Sequence, residues 1–202
     1  MPDPEPPAAP QALTTPQRTP LPLAAAMVLL AAVIVAYALG SRPASIRIGE
    51  LRARWPAVRQ PAPSFSAPSL RRPERLSLSQ FSGKVVVLNF FASWCGPCEL
   101  EAADLERTWL SVQNGDVAFV GIAIQDQESE AKAFLTKHGI TYAAAIDTDG
   151  AIMRDYRITG IPTTVIIDGR GRIAERHAGI FVGDEGRARL RAFIEAARGA
   201  PP

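Results

Sequence analysis

Residues 85–91 read VVVLNFF and lead within three residues to Trp94-Cys95-Gly96-Pro97-Cys98, and this junction constrains the chain most. An apolar run of that length, rich in valine, is the pattern of a strand covered on both faces. Residues 99–112 follow with helix-favouring Glu, Ala and Leu. A strand passing directly into a helix places Cys95 at the helix N-terminus, where unpaired backbone N–H groups and the dipole favour a thiolate. Cys98, one turn further in and less exposed, is placed to attack a mixed disulfide formed on Cys95. Pro97 falls in the first turn, where its missing N–H costs little, and Gly96 leaves room for a substrate chain to approach. The chain has 2 cysteines, so there is no multi-bridge framework and the pair works together.

Beyond the junction the periodicity alternates. In 99–112 it runs through Leu100, Ala103 and Leu110, which predicts that face as the buried one. A strand is expected at 117–124, a helix at 128–138, a short strand at 142–146 and a short helix at 151–156. A strand at 163–167 then meets the turn Asp168-Gly169-Arg170-Gly171 and a strand at 173–178. Residues 184–197 form an amphipathic helix with Leu190, Phe193, Ile194 and Ala197 on one side. Strands alternating with helices, ending in a hairpin, describe an α/β protein with a mixed central sheet.

The region before residue 63 has another character. Residues 1–22 hold eight of the 18 prolines and read as a disordered Pro-rich tail. Residues 23–39 (LAAAMVLLAAVIVAYAL) lack any charge. At 1.5 Å per residue they span about 26 Å, close to a bilayer core of about 30 Å. The run therefore reads as a transmembrane helix, with a cleaved signal h-region as the alternative because Ala36-Tyr37-Ala38 fits a cleavage site. Residues 40–62 form a basic juxtamembrane linker with Arg42, Arg47, Arg52, Arg54 and Arg59, and the globular domain occupies 63–202. Charge follows this division: residues 41–75 carry eight Arg against two Glu, while residues 76–202 carry thirteen Lys/Arg against sixteen acids. A basic stretch outside a mildly acidic domain argues against a nucleic-acid-binding protein.

A Cys-x-x-Cys pair can be half a zinc site, but zinc needs three or four ligands. The remaining nitrogen candidates, His138 and His177, have no paired-ligand spacing and are read as surface residues. A thiol peroxidase would need Pro and Thr or Ser just ahead of its cysteine, and residues 88–94 contain no proline.

Trp-Cys-Gly-Pro-Cys after a VVVLNFF strand resembles the thioredoxin active-site signature, and Gly160-Ile161-Pro162-Thr163 resembles the segment carrying the thioredoxin cis-proline. Gln60-Pro61-Ala62-Pro63-Ser64-Phe65, followed by Leu76-Ser77-Leu78 and Phe81-Ser82-Gly83-Lys84, is similar to the lead-in of the membrane-attached TlpA/ResA/CcmG (DsbE) branch. The resemblance covers roughly residues 60–198. It implies a thioredoxin-like fold with an extra strand–helix insertion between Cys98 and Pro162, and a cis Ile161–Pro162 bond beside the dithiol. Glu101 matches the glutamate this branch keeps near its dithiol, where it would take the Cys98 proton or raise the thiol pKa. The surface-charge alternative, as for Glu99, stays open. Asn89 stands where thioredoxins carry a buried Asp, and an amide cannot shuttle protons. Ala102 replaces the proline usual after the glutamate. Trp94, Gly96, Pro97, Ile161 and Thr163 are expected to border the substrate groove.

The resemblance further implies a thiol–disulfide oxidoreductase without a cofactor or metal, anchored in the cell (inner or plasma) membrane by one pass. Its redox domain would be extracytoplasmic or periplasmic, reducing protein disulfides such as those of apocytochrome c, with electrons from a membrane thiol donor. Within about 20 residues of the span, however, one basic residue precedes it and five follow, a bias that by the positive-inside rule favours a cytoplasmic domain; long domains can nonetheless translocate despite such flanks. The same fold could serve as a disulfide oxidase or isomerase, or as a non-catalytic binding module.

Overall fold

Alternation along one central strand decides how the layers form. The computed structural model describes residues 60–113 and 115–199. In it β1 (Ser66–Pro68) and β2 (Arg75–Ser77) make a small hairpin, and a 3-10 turn (Leu78–Phe81) leads to β3 (Val85–Phe91). Next come α1 (Gly96–Val112), β4 (Val117–Ile124), α2 (Glu128–Lys137), β5 (Ala143–Asp147) and α3 (Ala151–Asp155). The chain continues through β6 (Thr163–Ile167), β7 (Ile173–Ala178) and α4 (Gly183–Arg198).

The five-stranded sheet has the order β5-β4-β3-β6-β7. β4 runs parallel to both β3 and β5, whereas β6 runs antiparallel to β3 and β7. β3 is central and buried along its whole length. Its odd-numbered residues Val85, Val87 and Phe91 join a cluster with Leu105 of α1, Phe134 of α2 and Leu190 and Ile194 of α4. The even-numbered Val86, Leu88 and Phe90 join the opposite cluster with Phe65, Ile152 and Tyr156. Tyr156 is fully buried, and its hydroxyl donates to the Pro63 carbonyl at 2.8 Å, satisfying the polar end of a large apolar side chain. Two strand–helix units, β4–α2 and β5–α3, fill the stretch between the dithiol helix and β6.

The mixed sheet flanked by helices is the thioredoxin-like α/β fold expected from the sequence. The β1–β2 hairpin was not anticipated; it lies at the β5 edge, where Ser69 bridges Ala145. The apolar face expected on α1 is also corrected. Leu100 and Leu110 are 66% and 52% exposed and Ala103 is exposed too. The buried face instead carries Glu101, Ala102, Leu105, Thr108 and Val112. Polar partners inside the protein accommodate the Glu and Thr, so hydropathy alone selected the wrong stripe. Residues 1–22, 23–39 and 40–59 lie outside the described residues, and among those described no helix is long and apolar enough to cross a membrane.

Candidate active site

Cys95 caps α1 from an extended conformation, and Gly96 and Pro97 begin the helix. The Cys98 N–H donates to the Cys95 carbonyl at 3.0 Å and also to Cys95 Sγ at 3.2 Å. The two sulfurs are bonded (S–S 2.09 Å), so this is the oxidised form. Both cysteines are buried, Cys98 at 2% and Cys95 at 4% exposure. Around them the surface is open: Trp94 is 61% exposed, Gly96 and Pro97 are exposed, and a Cβ at Gly96 would meet nothing within 4 Å.

The segment before the dithiol is tied to the β4–α2 loop. Asp126 accepts the Ser93 N–H at 2.6 Å and the Ser93 hydroxyl at 2.7 Å, and the Trp94 indole donates to the Gln125 carbonyl at 3.0 Å. Gln125 adopts φ 48°, uncommon for a residue other than glycine. No motif in the sequence signalled this anchor.

β6 reaches the same end of the sheet because Thr163 pairs with Phe90. The Ile161–Pro162 peptide is cis, as expected. Ile161 is half-buried and packs on the cluster that contains both cysteines. Pro162 and Thr163 are buried, the Thr163 hydroxyl closing onto the Gly160 carbonyl at 2.7 Å.

Glu101 is only 1% exposed, unlike a surface helical glutamate. The Asn89 amide donates to Glu101 Oε1 at 2.9 Å and to the Thr164 hydroxyl at 3.1 Å, and the Phe181 N–H donates to Glu101 Oε2 at 3.0 Å. Burial pushes the Glu101 carboxyl up to about 7, against the opposing pull of the Phe181 and Asn89 hydrogen bonds. A carboxyl titrating there, one helical turn beyond Cys98, can hold or release a proton near neutral pH. Glu99, by contrast, is half-exposed and paired with Lys137 Nζ at 2.6 Å.

The loop between β7 and α4 binds this arrangement together. Alternate N–H groups donate from Gly179 to the Pro162 carbonyl at 3.0 Å, from Phe181 to Glu101, and from Gly183 to Asp104 Oδ2 at 2.7 Å. Asp104 also pairs with Arg187 and Arg107. Neither histidine is the surface residue expected. His138 is largely buried with its ring centroid 4.5 Å from that of Phe134, and His177 is half-buried at 4.3 Å from Phe181.

The AhpC/TSA family pattern matches residues 58–176. The thiol:disulfide interchange protein DsbE homolog of Paracoccus denitrificans is 39% identical over 117 residues, covering 57% of this chain and 63% of that protein. The thioredoxin-like protein YneN of Bacillus subtilis is 35% identical over 130 residues, covering 62% and 74%. Among solved structures, a thiol:disulfide interchange protein of the thioredoxin family from Chlorobium tepidum superposes with TM-score 0.62 at 30% identity, over 71% of this chain and 99% of that one. A secreted Mycobacterium tuberculosis disulfide oxidoreductase homologous to DsbE gives 0.57 at 25% identity, over 65% and 95%. The chain therefore belongs to the AhpC/TSA family, as a thiol–disulfide oxidoreductase of the DsbE type.

Proposed function

We propose that this protein is a membrane-tethered, extracytoplasmic reductant of protein disulfides, acting in a process such as cytochrome c maturation on apocytochrome c thiols. The observation that carries the exchange chemistry is Cys95 at the α1 N-terminus with the Cys98 N–H directed at its sulfur. That N–H and the helix dipole stabilise a thiolate on Cys95 once the pair is reduced. The thiolate attacks a substrate disulfide, forms a mixed disulfide and expels one substrate thiolate, which takes a proton from water. Cys98 then yields its proton to the Glu101 carboxylate and attacks Cys95 Sγ. The second substrate thiolate leaves, and two electrons have passed from protein to substrate.

Pro162 and the Ile161 backbone seat an extended substrate across the site, with Trp94, Gly96, Pro97 and Thr163 framing it. The Gly-Pro dipeptide favours the reducing direction. The secreted location in the printed description of the Mycobacterium tuberculosis neighbour supports an extracytoplasmic domain. Residues 23–39 supply the tether, and a membrane thiol donor returns the electrons. The domain limits follow: a Pro-rich tail over 1–22, a basic linker over 40–62 and the catalytic domain over 63–202.

The test is trapping in membranes expressing the full chain. Cys98→Ser should accumulate mixed disulfides through Cys95, Cys95→Ser should accumulate none, and apocytochrome c should be among the trapped proteins. Full turnover in Cys98→Ser contradicts the assignment of attacking and resolving cysteines.

A further inference from the structure

The dithiol helix is entered through a turn. The Cys95 N–H donates to the Ala92 carbonyl at 3.1 Å, so residues 92–95 form a β-turn whose corners are Ser93 and Trp94. Its fourth residue is the attacking cysteine, which also caps α1. A β-turn bonds its first residue to its fourth, leaving the N–H of the first corner to an outside partner.

That partner is Asp126. Its Oδ2 accepts the Ser93 N–H at 2.6 Å and its Oδ1 the Ser93 hydroxyl at 2.7 Å, so one carboxylate holds the corner by backbone and side chain together. The second corner is held by the neighbouring Gln125, whose carbonyl accepts the Trp94 indole N–H at 3.0 Å. Both corners are thus fastened to two consecutive residues of the β4–α2 loop.

The loop is shaped to reach the turn. Asp126 Oδ1 also accepts the Gln127 N–H at 2.8 Å, which ties the carboxylate to its own backbone and fixes its direction. Gln127 caps α2, so the carboxylate stands before a helix N-terminus, where negative charge is stabilised. Gln125 is held at φ 48°, a left-handed conformation that persists in a residue with a side chain only where the surroundings over-determine it. Core packing does not account for these bonds. Trp94 and Gln125 are exposed, Ser93 and Asp126 are half-buried, and none of the four belongs to either apolar cluster. Charge-assisted hydrogen bonds are the strong ones, and here they immobilise surface chain directly ahead of the reactive sulfur.

We propose that Asp126 is a positioning residue for thiol–disulfide exchange: by clamping the Ser93 corner it fixes where the Cys95 sulfur stands for attack on a substrate disulfide. In that step the Cys95 thiolate bonds to one substrate sulfur while the other leaves as a thiolate with the electron pair of the broken bond. The rate therefore depends on how the attacking sulfur is held against the substrate S–S bond. The proposal rests on Cys95 as the attacking cysteine and holds for either direction of net electron flow.

The test uses the reduced full chain carrying Cys98→Ser and follows the rate at which Cys95 forms a mixed disulfide with insulin. Adding Asp126→Ala should slow this about tenfold, and Asp126→Asn, which keeps an acceptor for the Ser93 N–H, should restore it to within about threefold of the parent. Ser93→Ala keeps the backbone bond and should behave like Asp126→Asn. Alkylation of Cys95 by iodoacetamide reads the thiolate without a seated protein substrate, and should change by less than about threefold throughout. Parent rates in Asp126→Ala overturn the proposal. Equal slowing in Asp126→Asn and Asp126→Ala overturns it in favour of charge, and alkylation slowed as much as insulin exchange overturns it in favour of thiolate content. A rate loss that follows the melting temperature across the variants makes the clamp merely structural and overturns it as well. No reaction in the Cys98→Ser parent overturns the assignment of Cys95 as the attacking cysteine, and this proposal with it.

Discussion

The Asn89 side-chain amide donates to Glu101 Oε1 at 2.9 Å inside the protein, joining the central strand to the dithiol helix. Asn89 is odd-numbered on β3 and so faces α1, as Val87 and Phe91 do. An amide at this position cannot ionise, which leaves Glu101 as the carboxyl that titrates there.

Glu101 should make the protein less stable as pH rises. In the unfolded chain its carboxyl titrates at about 4.3, and in the folded chain burial moves it to about 7. Between those values the folded state holds a proton that the unfolded state has lost. Stability therefore falls across this window and is flat beyond it, by an amount on the order of 3 kcal/mol. Glu101→Gln can keep the Phe181 bond and should abolish this slope, gaining stability at pH 8. It should also slow exchange about tenfold, since the Cys98 proton has lost its acceptor. Denaturant unfolding of the oxidised protein at pH 5 and pH 8, with exchange rates alongside, checks both effects. Parallel stability curves for wild type and variant would remove Glu101 from the proton chemistry.

Removing the amide should move the titration upward. Asn89→Leu leaves Glu101 with the Phe181 N–H, and the lost hydrogen bond had been lowering its pKa. The midpoint of the pH–rate profile for disulfide exchange should shift to alkaline pH. The variant should also lose about 1–3 kcal/mol of stability, because the carboxyl's buried oxygen is left without a donor. An unchanged midpoint contradicts the coupling.

The α1–α4 tie is expected to be structural. Asp104 accepts the Gly183 N–H at the start of α4 and pairs with Arg187, and these partners hold its carboxyl low although burial acts to raise it. A lowered carboxyl contributes stability above the ordinary carboxylate range and loses it as pH falls through the depressed value. Asp104→Asn should therefore cost about 2 kcal/mol at pH 7 and little in strong acid, with the redox potential unchanged. Melts at pH 7 and pH 3, with a potential measurement, check this.

Much of this arrangement was legible because apolar continuity and period carry it. β4, β6 and β7 begin and end where the sequence pattern places them, and the CGPC motif opens α1. What could not be read there depends on partners distant in sequence. Asp126 meets Ser93 across 33 positions and Thr164 meets Asn89 across 75. The stripe of α1 was misread in part for the same reason: Glu101 is buried because Asn89 and Phe181 satisfy it, while Thr108 bonds the Asp104 carbonyl one turn back in the same helix. The parity of Asn89 along β3 was the one available sign of its contact with α1.

The proposed orientation sets charge against function. Basic residues after the apolar run favour a cytoplasmic domain, whereas a reductant with its own anchor is needed where conditions are oxidising. A C-terminal fusion to alkaline phosphatase should be active, and one to a fluorescent protein that fails to mature after export should be dark. The reverse pattern would place the domain in the cytoplasm and end the cytochrome-maturation reading.

The most direct test of the account is the reduction potential of the Cys95–Cys98 couple in the full chain, equilibrated in thiol buffers and read by alkylation. A reductant with a Gly-Pro dipeptide should lie near thioredoxin, at about −270 mV, and titrate as one two-electron couple. A value near that of DsbA, about −120 mV, would make the protein an oxidant and contradict the proposed direction of electron flow.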